Sequence, residues 1–187
     1  MQSAIAALTN GKPTAVRAIG AAGAVVLGSL VMAGSSWVEA PMIPVPMNMQ
    51  SMAAPLLGIL MGSRLGALAV IAWMVEACLG FPVLSGGAAG AHHFVGPTAG
   101  YLFAFPLATM VSGLLWERLS KGSFIAGFAT MLLGNAIILA LGVVWLALMI
   151  GWQPALESGL YPFLLGALLK SLLGAGIISL FTGRNPV

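Results

Sequence analysis

The sequence predicts an all-α integral membrane protein, a bundle of six transmembrane helices whose N- and C-termini are both cytoplasmic. The chain has 187 residues, of which 60% are hydrophobic and only 6% are charged, and so few charges cannot cover a soluble surface. The basic residues also fall on one side of the apolar runs. Those runs lie at residues 15–35, 51–63, 65–80, 97–116, 123–149 and 161–183.

The first run predicts a retained transmembrane helix rather than a secretory signal. Glycine and alanine recur every four residues from Gly20, which gives a small face suited to helix packing. We therefore expect one membrane domain over residues 15–183 in the cell (inner or plasma) membrane, flanked by cytoplasmic tails at 1–14 and 184–187. The only cysteine, Cys78, excludes an intrachain disulfide and is predicted to be a small core residue.

The second and third runs are short, because at ~1.5 Å per residue they reach only about 20 Å and 24 Å of a ~30 Å hydrocarbon core. One long helix over 51–80 is the alternative. It would place Arg64 near the middle of the bilayer, and Gly62 and Gly66 beside it favour a break. Gly58 continues the same four-residue repeat, so we expect this short pair to pack against other helices rather than lipid.

The basic residues set the topology. Six helices with a cytoplasmic N-terminus leave no lysine or arginine in the outer segments 36–50, 81–96 and 150–160. This asymmetry is typical of a polytopic membrane protein. The inner segments then hold Lys12, Arg17, Arg64, Arg118, Lys121 and Arg184.

The three outer segments predict a capped pocket that opens outward. Prolines in 36–50 favour an extended lid, and glycines dominate 81–96. Non-helical backbone near membrane depth is tolerated only where it is buried in protein or lines a cavity. Three such segments on one face therefore indicate a covered binding site.

Lys170 is the strongest candidate for a functional residue. It lies inside an apolar run, about 14 Å along the helix from Tyr161 and about 21 Å from Arg184, too far for its side chain to reach the interface comfortably. A buried ammonium needs a partner or a polar cavity, and it marks a functional site by default. The structural alternative is an ion pair with Glu76.

Other polar and aromatic side chains lie in the outer half of the helices or in the outer segments. As candidates to bind a ligand we identify Gln50, Asn48, Glu76, Asn135, Tyr101, Trp37 and Phe94. Asn135 has a structural alternative as an interhelical hydrogen bond. Asn48 and Gln50 have another as an ordinary polar helix start.

Several functions are disfavoured by what the sequence lacks. His92 and His93 are adjacent, so they rarely point to one ion, and no metal site is predicted. The chain has no aspartate and no catalytic constellation, so we expect no enzyme. It has no nucleotide-binding motif, so transport driven by ATP would need another chain. We expect no cofactor, and orientation in the membrane rather than nucleic acid explains the net charge of +3.

Five short strings in a fixed order resemble the BioY family. They are VPMNMQ at 45–50, GFPV at 80–83, GG at 86–87, GPTAGY at 96–101 and YPFLLGALLK at 161–170. The resemblance implies a six-helix S component, the biotin-specific substrate-binding subunit of an energy-coupling factor (ECF) vitamin transporter. It also implies partners: biotin, a transmembrane coupling subunit, two ABC ATPase subunits and the lipid bilayer.

The resemblance suggests roles for the candidate residues. Lys170 would meet a ligand acceptor, most naturally the carboxylate, and loops 36–50 and 81–96 would close the pocket. The family commonly has an aspartate where this chain has Ala167, so Glu76 is expected to accept from the ureido N–H groups instead. The remaining candidates would contact the ureido group or tail (Gln50, Asn48 and Asn135) or cover the apolar body (Trp37, Phe94 and Tyr101).

An alternative function is a stand-alone secondary carrier for biotin or a related small carboxylate. Glu76 and Lys170 would then form a proton-coupled pair within the membrane. Some members of the family are thought to work without the ATPase module, and the sequence leaves this alternative open.

Overall fold

The computed structural model describes residues 14–119 and 123–182. Two strands, β1 (Glu39–Ala40) and β2 (Met47–Asn48), pair antiparallel in a small hairpin, and short 3₁₀ turns lie at Ser85–Gly87 and Ala91–Phe94. The helices are α1 (Thr14–Ser36), α2 (Gln50–Met61), α3 (Ser63–Cys78), α4 (Ala99–Arg118), α5 (Phe124–Ile150), α6 (Trp152–Gly159) and α7 (Tyr161–Thr182).

The predicted membrane bundle is confirmed. Helices α1, α2, α3, α4, α5 and α7 correspond to the six apolar runs, with boundaries that differ by a few residues. Four stretches are long and apolar enough to cross a bilayer: Ala18–Ser36, Ala99–Arg118, Phe124–Ile150 and Trp152–Thr182. The predicted tails lie outside the described residues, apart from Thr14 at the start of α1. Lys12, Lys121 and Arg184 lie outside them too, and the cytoplasmic placement of the termini stays a prediction.

The break between the second and third runs is where the sequence places it. Gly62 has φ 93°, a backbone conformation that glycine adopts without a steric penalty. The close approach of the two helices shows that the chain turns back there: a Cβ on Gly66 would lie 2.9 Å from the carbonyl oxygen of Leu57 in the preceding helix. One continuous helix over 51–80 is therefore excluded.

The packing prediction for this pair is right for α2 and wrong for part of α3. A Cβ on Gly58 would collide with the backbone of Thr109, so α2 and α4 touch main chain to main chain. Most of α2 is buried. In contrast, α3 presents an outward apolar stripe of Leu68, Ile71 and Val75, and Leu79 continues it just beyond the end of the helix.

Cys78 lies at the end of α3 and is exposed, so the prediction of a core cysteine is wrong. Only one face of α3 is buried, the face that carries Val70, Trp73 and Ala77. A position one residue beyond Ala77 turns about 100° away from that face.

The core is built around α4, which packs against α2, α3 and α5. Gly142 in α5 leaves the space that the Tyr101 ring occupies, since a Cβ there would overlap the ring. The Tyr101 hydroxyl donates to the carbonyl oxygen of Gly159 at 2.8 Å. This bond holds α6 to the N-terminal end of α4. The segment that forms α6 was expected to be an irregular outer loop and is a short helix instead.

Candidate functional site

A cavity of about 350 Å³ lies where the hairpin and the 3₁₀ turns meet the N-terminal ends of α2 and α4. Its walls are mostly apolar. The polar or titratable side chains that line it are Asn48, Gln50, Ser51, Ser85, His92, His93, Thr98, Tyr101, Asn135 and Lys170. The volume is at the lower end of the range for pockets that bind a small organic molecule.

The ammonium of Lys170 reaches this cavity from α7. Its Nζ donates to the backbone carbonyl of Asn48 at 2.6 Å and to the hydroxyl of Ser51 at 3.0 Å. Both partners are neutral, and a lysine ammonium has three donors. One N–H therefore remains for a ligand oxygen.

Side-chain hydrogen bonds join the two loops that were expected to cover the pocket. The Asn48 amide donates to Gln50 Oε1 and to Ser85 Oγ, each at 3.1 Å. Ser85 in turn donates to the carboxylate of Glu39 in β1. The hairpin and the first 3₁₀ turn are therefore connected directly above the cavity, so both loops border it together.

Gln50 is almost fully buried at the start of α2. Its backbone N–H donates to Asn48 Oδ1 at 3.0 Å, which forms a local turn just before the helix; the N-cap itself is Met49, which makes no side-chain cap bond. Its side-chain amide also donates to the Met32 carbonyl at 3.2 Å. The residue therefore supports the lid hairpin and lines the cavity at once.

Asn135 is 2% exposed and lines the cavity from α5. Its Nδ2 donates to the Met131 carbonyl at 3.1 Å and to Ser171 Oγ at 3.2 Å. The second bond links α5 to α7, so the expected role as interhelical contact and the position in the cavity wall hold together.

Three predicted ligand contacts lie outside the cavity lining. Trp37 is 66% exposed, and its ring packs beside Gly87 on the outer surface of the loops. Phe94 is buried, but its ring packs against Phe103 of α4, with ring centroids 5.9 Å apart. The apolar walls of the cavity are therefore formed by other side chains.

Glu76 is the third. It is half-buried on α3, beside the buried face of Trp73 and Ala77, and does not line the cavity. The hydrogen bonds of Lys170 go to neutral oxygens instead. The ion pair between Glu76 and Lys170, the structural alternative, is therefore not formed, and the role of Glu76 in place of the aspartate stays a prediction.

The structure adds residues that sequence reasoning missed. Ser51, Ser85 and both histidines line the cavity, and the His92 and His93 rings lie 4.1 Å apart between centroids. Burial, followed by the neighbouring His92, lowers the pKa of His93 below its usual value. For Ser85 and the two histidines, the signal was their position in the glycine-rich outer segment 81–96, which the sequence analysis treated as lid backbone only.

The charges around the cavity restrict its ligand. Lys170 is the cation in the described lining, and no aspartate or glutamate lies there. No group of three potential metal ligands occurs among residues 14–119 and 123–182. The arrangement suits a largely apolar molecule that carries an acceptor or an anionic group.

Comparisons with known proteins agree with this architecture. The model of the BioY family matches residues 9–185. The chain is 36% identical to "Biotin transporter BioY" of Thermotoga maritima, over 80% of this chain and 88% of the relative. It is 34% identical to "Probable biotin transporter BioY" of Pyrococcus horikoshii, over 68% and 75%.

A solved structure has the same fold. It is a crystal structure of the S-component for biotin from an ECF-type ABC transporter, with a TM-score of 0.80 and 25% identity over 92% of this chain and 96% of that one. The family model and these relatives together place the chain: it is a multi-pass membrane protein and belongs to the BioY family.

Proposed function

We propose that the chain captures biotin from outside the cell and serves as the substrate-binding S component of an ATP-driven ECF transporter. One observation carries the proposal: a small, mostly apolar cavity is covered by two joined loops and holds a single ammonium with one free donor. The biotin transporters among its relatives and the S-component for biotin support the ligand.

The chemistry of the cavity fits biotin. Its apolar body matches the apolar walls, and the ureido group and carboxylate match a few placed polar groups. Lys170 donates its remaining N–H to a ligand oxygen, most naturally the carboxylate. Asn48, Gln50, Asn135 and Tyr101 are the predicted contacts that line the cavity with it.

Release requires the lid to open, because Asn48 of the hairpin is bonded both to Ser85 of the other loop and to Lys170 of α7. The sequence contains no nucleotide-binding motif, so energy from ATP must come through another chain. A transmembrane coupling subunit with two ABC ATPases would supply it by moving or deforming the S component. A proton-coupled Glu76–Lys170 carrier receives no support from the structure, since Glu76 lies outside the lining.

Ligand binding to the purified chain tests the capture step. We expect saturable binding of labelled biotin, weaker binding of desthiobiotin, and none of thiamine or riboflavin at equal concentration. Preference for one of the other vitamins would contradict the proposal.

Uptake tests the energy source. Vesicles with this chain alone should bind but not accumulate biotin, whereas vesicles that also contain the coupling subunit and the ATPases should accumulate it with ATP. Accumulation by the chain alone, driven by a pH gradient, would favour the secondary carrier.

A further inference from the structure

We infer that Asn135 Oδ1 accepts a hydrogen bond from a ring N–H of the ligand, so that the cavity selects molecules with an N–H donor at this point. The ligand class is a cyclic urea, and this inference rests on the proposed function. Asn135 thereby determines specificity, in addition to joining two helices.

The orientation of the Asn135 amide is fixed by its neighbours. Nδ2 donates to the Met131 carbonyl and to Ser171 Oγ. The hydroxyl of Ser171 donates its own hydrogen to the Ala167 carbonyl at 2.7 Å, so it can only accept from the amide. A flipped amide would point its oxygen at two acceptors, which excludes that orientation.

The oxygen of the amide is left facing the cavity. Asn135 lines the cavity and is 2% exposed, and none of its hydrogen bonds uses Oδ1. Among the described residues, Ser112 Oγ is the fully buried side-chain oxygen or nitrogen without a partner. Asn135 Oδ1 also has no partner but is not a fully buried atom, so it accounts for part of the small exposed area of this residue. The cavity is the space that Asn135 borders, and Oδ1 therefore faces it.

The other amide and serine oxygens of the lining each already accept a hydrogen bond, and the two remaining hydroxyls, of Thr98 and Tyr101, are weaker acceptors that donate to backbone carbonyls. The amide oxygens of Asn48 and Gln50 accept from each other's N–H groups, and the hydroxyls of Ser85 and Ser51 accept from an amide and an ammonium. The described lining has no carboxylate. A ligand N–H that enters this cavity therefore finds one side-chain amide oxygen, that of Asn135, with no donor of its own.

The consequence for selectivity follows from the cost of unpaired buried groups. A ligand without the N–H leaves Oδ1 unsatisfied in a closed cavity, and a ligand with an oxygen at that position adds repulsion between two acceptors. We expect a loss of roughly tenfold to a hundredfold in affinity for such a ligand.

The test compares biotin with its two cyclic carbamate analogues, in each of which a ring oxygen replaces one ureido N–H. The exchange adds no bulk, so it changes a donor into an acceptor at nearly constant shape. The wild-type chain should bind one of the two analogues at least about tenfold more weakly than biotin. Equal affinity for biotin and both analogues would overturn the inference.

Variants assign the effect to the residue. Asn135→Leu, of similar volume, should weaken biotin binding and abolish the discrimination against the carbamate. Asn135→Asp keeps an acceptor, and as a protonated carboxyl its second oxygen still donates to the Met131 carbonyl, so this variant should retain the discrimination. Thr130→Val is the matched control, because the Thr130 hydroxyl is buried in α5 and bonds to the Ala126 carbonyl outside the cavity. It should behave as wild type.

The outcomes separate this inference from the proposed function. Discrimination that persists undiminished in Asn135→Leu would assign the N–H to another acceptor and overturn the inference while biotin binding stands. If Asn135→Leu does not fold, the wild-type comparison and Asn135→Asp decide. A wild-type chain that binds no biotin would overturn the proposed function, and this inference with it.

Discussion

Replacing Lys170 with methionine should weaken biotin binding by removing a charge while keeping most of the bulk of the side chain. The ammonium has three donors, of which the Asn48 carbonyl and the Ser51 hydroxyl take two. The variant therefore loses one bond to the ligand and two bonds to the lid hairpin and α2.

The magnitude follows from counting these bonds. A hydrogen bond to a charged group contributes about 1.5–3 kcal/mol, and each 1.4 kcal/mol is tenfold in affinity, so the ligand bond alone is worth roughly ten- to a hundredfold. The methyl ester keeps an acceptor for the ammonium but has no charge of its own, so its bond to Lys170 is weaker than that of the carboxylate, in which both partners are charged. The loss of the two bonds to the lid hairpin and α2 should loosen lid closure, and this should lower the affinity for both ligands by the same factor.

The assay is equilibrium binding of biotin and biotin methyl ester to wild type, Lys170→Met and Ser51→Ala. Lys170→Met should lose more affinity for biotin than for the ester. Ser51→Ala removes one of the bonds that the ammonium makes within the protein but keeps the ammonium, so it should lose the same factor for both ligands. Equal losses for both ligands in Lys170→Met, or wild-type affinity for biotin in that variant, would refute the assignment of the ammonium to the carboxylate.

The lid, the packing and the topology give further predictions. Ser85→Ala removes the link between the two loops and should speed biotin dissociation several-fold in a chase experiment; an unchanged rate would show that the link does not hold the lid. Gly142→Ala should lower the thermal unfolding temperature, because a Cβ there overlaps the tyrosine ring that lines the cavity; an unchanged temperature would contradict the packing. In a Cys78→Ala background, a membrane-impermeant maleimide should label Arg64→Cys from the cytoplasm and Ser158→Cys from outside; the opposite sidedness would end the six-helix topology.

The membrane fold was predictable because its signals are local. Apolar length and the cost of a mid-bilayer arginine are properties of a short stretch, so the break at Gly62 could be found without any tertiary contact. The outward stripe of α3 could not, because a glycine repeat describes one face of a helix and leaves the opposite face undefined. Helix α6 was missed because its polar residues, such as Gln153 and Glu157, resemble a loop when they are read without their amphipathic spacing.

The candidate site was predictable in part. Lys170 stood out because a buried charge is costly wherever it lies, but its partner Asn48 is 122 residues away in sequence and depends on how the hairpin folds back. Trp37 and Phe94 were expected to face a ligand because they are aromatic and lie in lid segments. Which way a loop side chain points is set by its tertiary packing, and the sequence carries no periodicity there to predict it.

The outward stripe of α3 has a consequence for the surrounding lipid. At ~1.5 Å per residue, its 16 residues span about 24 Å, several ångströms less than a bilayer core of ~30 Å. We therefore expect the bilayer beside Leu68 and Val75 to thin, at a free-energy cost of a fraction of a kcal/mol per ångström of mismatch. A protein partner that covers this stripe would relieve the hydrophobic mismatch, so thicker bilayers should favour association; affinity for such a partner that is independent of acyl-chain length in vesicles would contradict this.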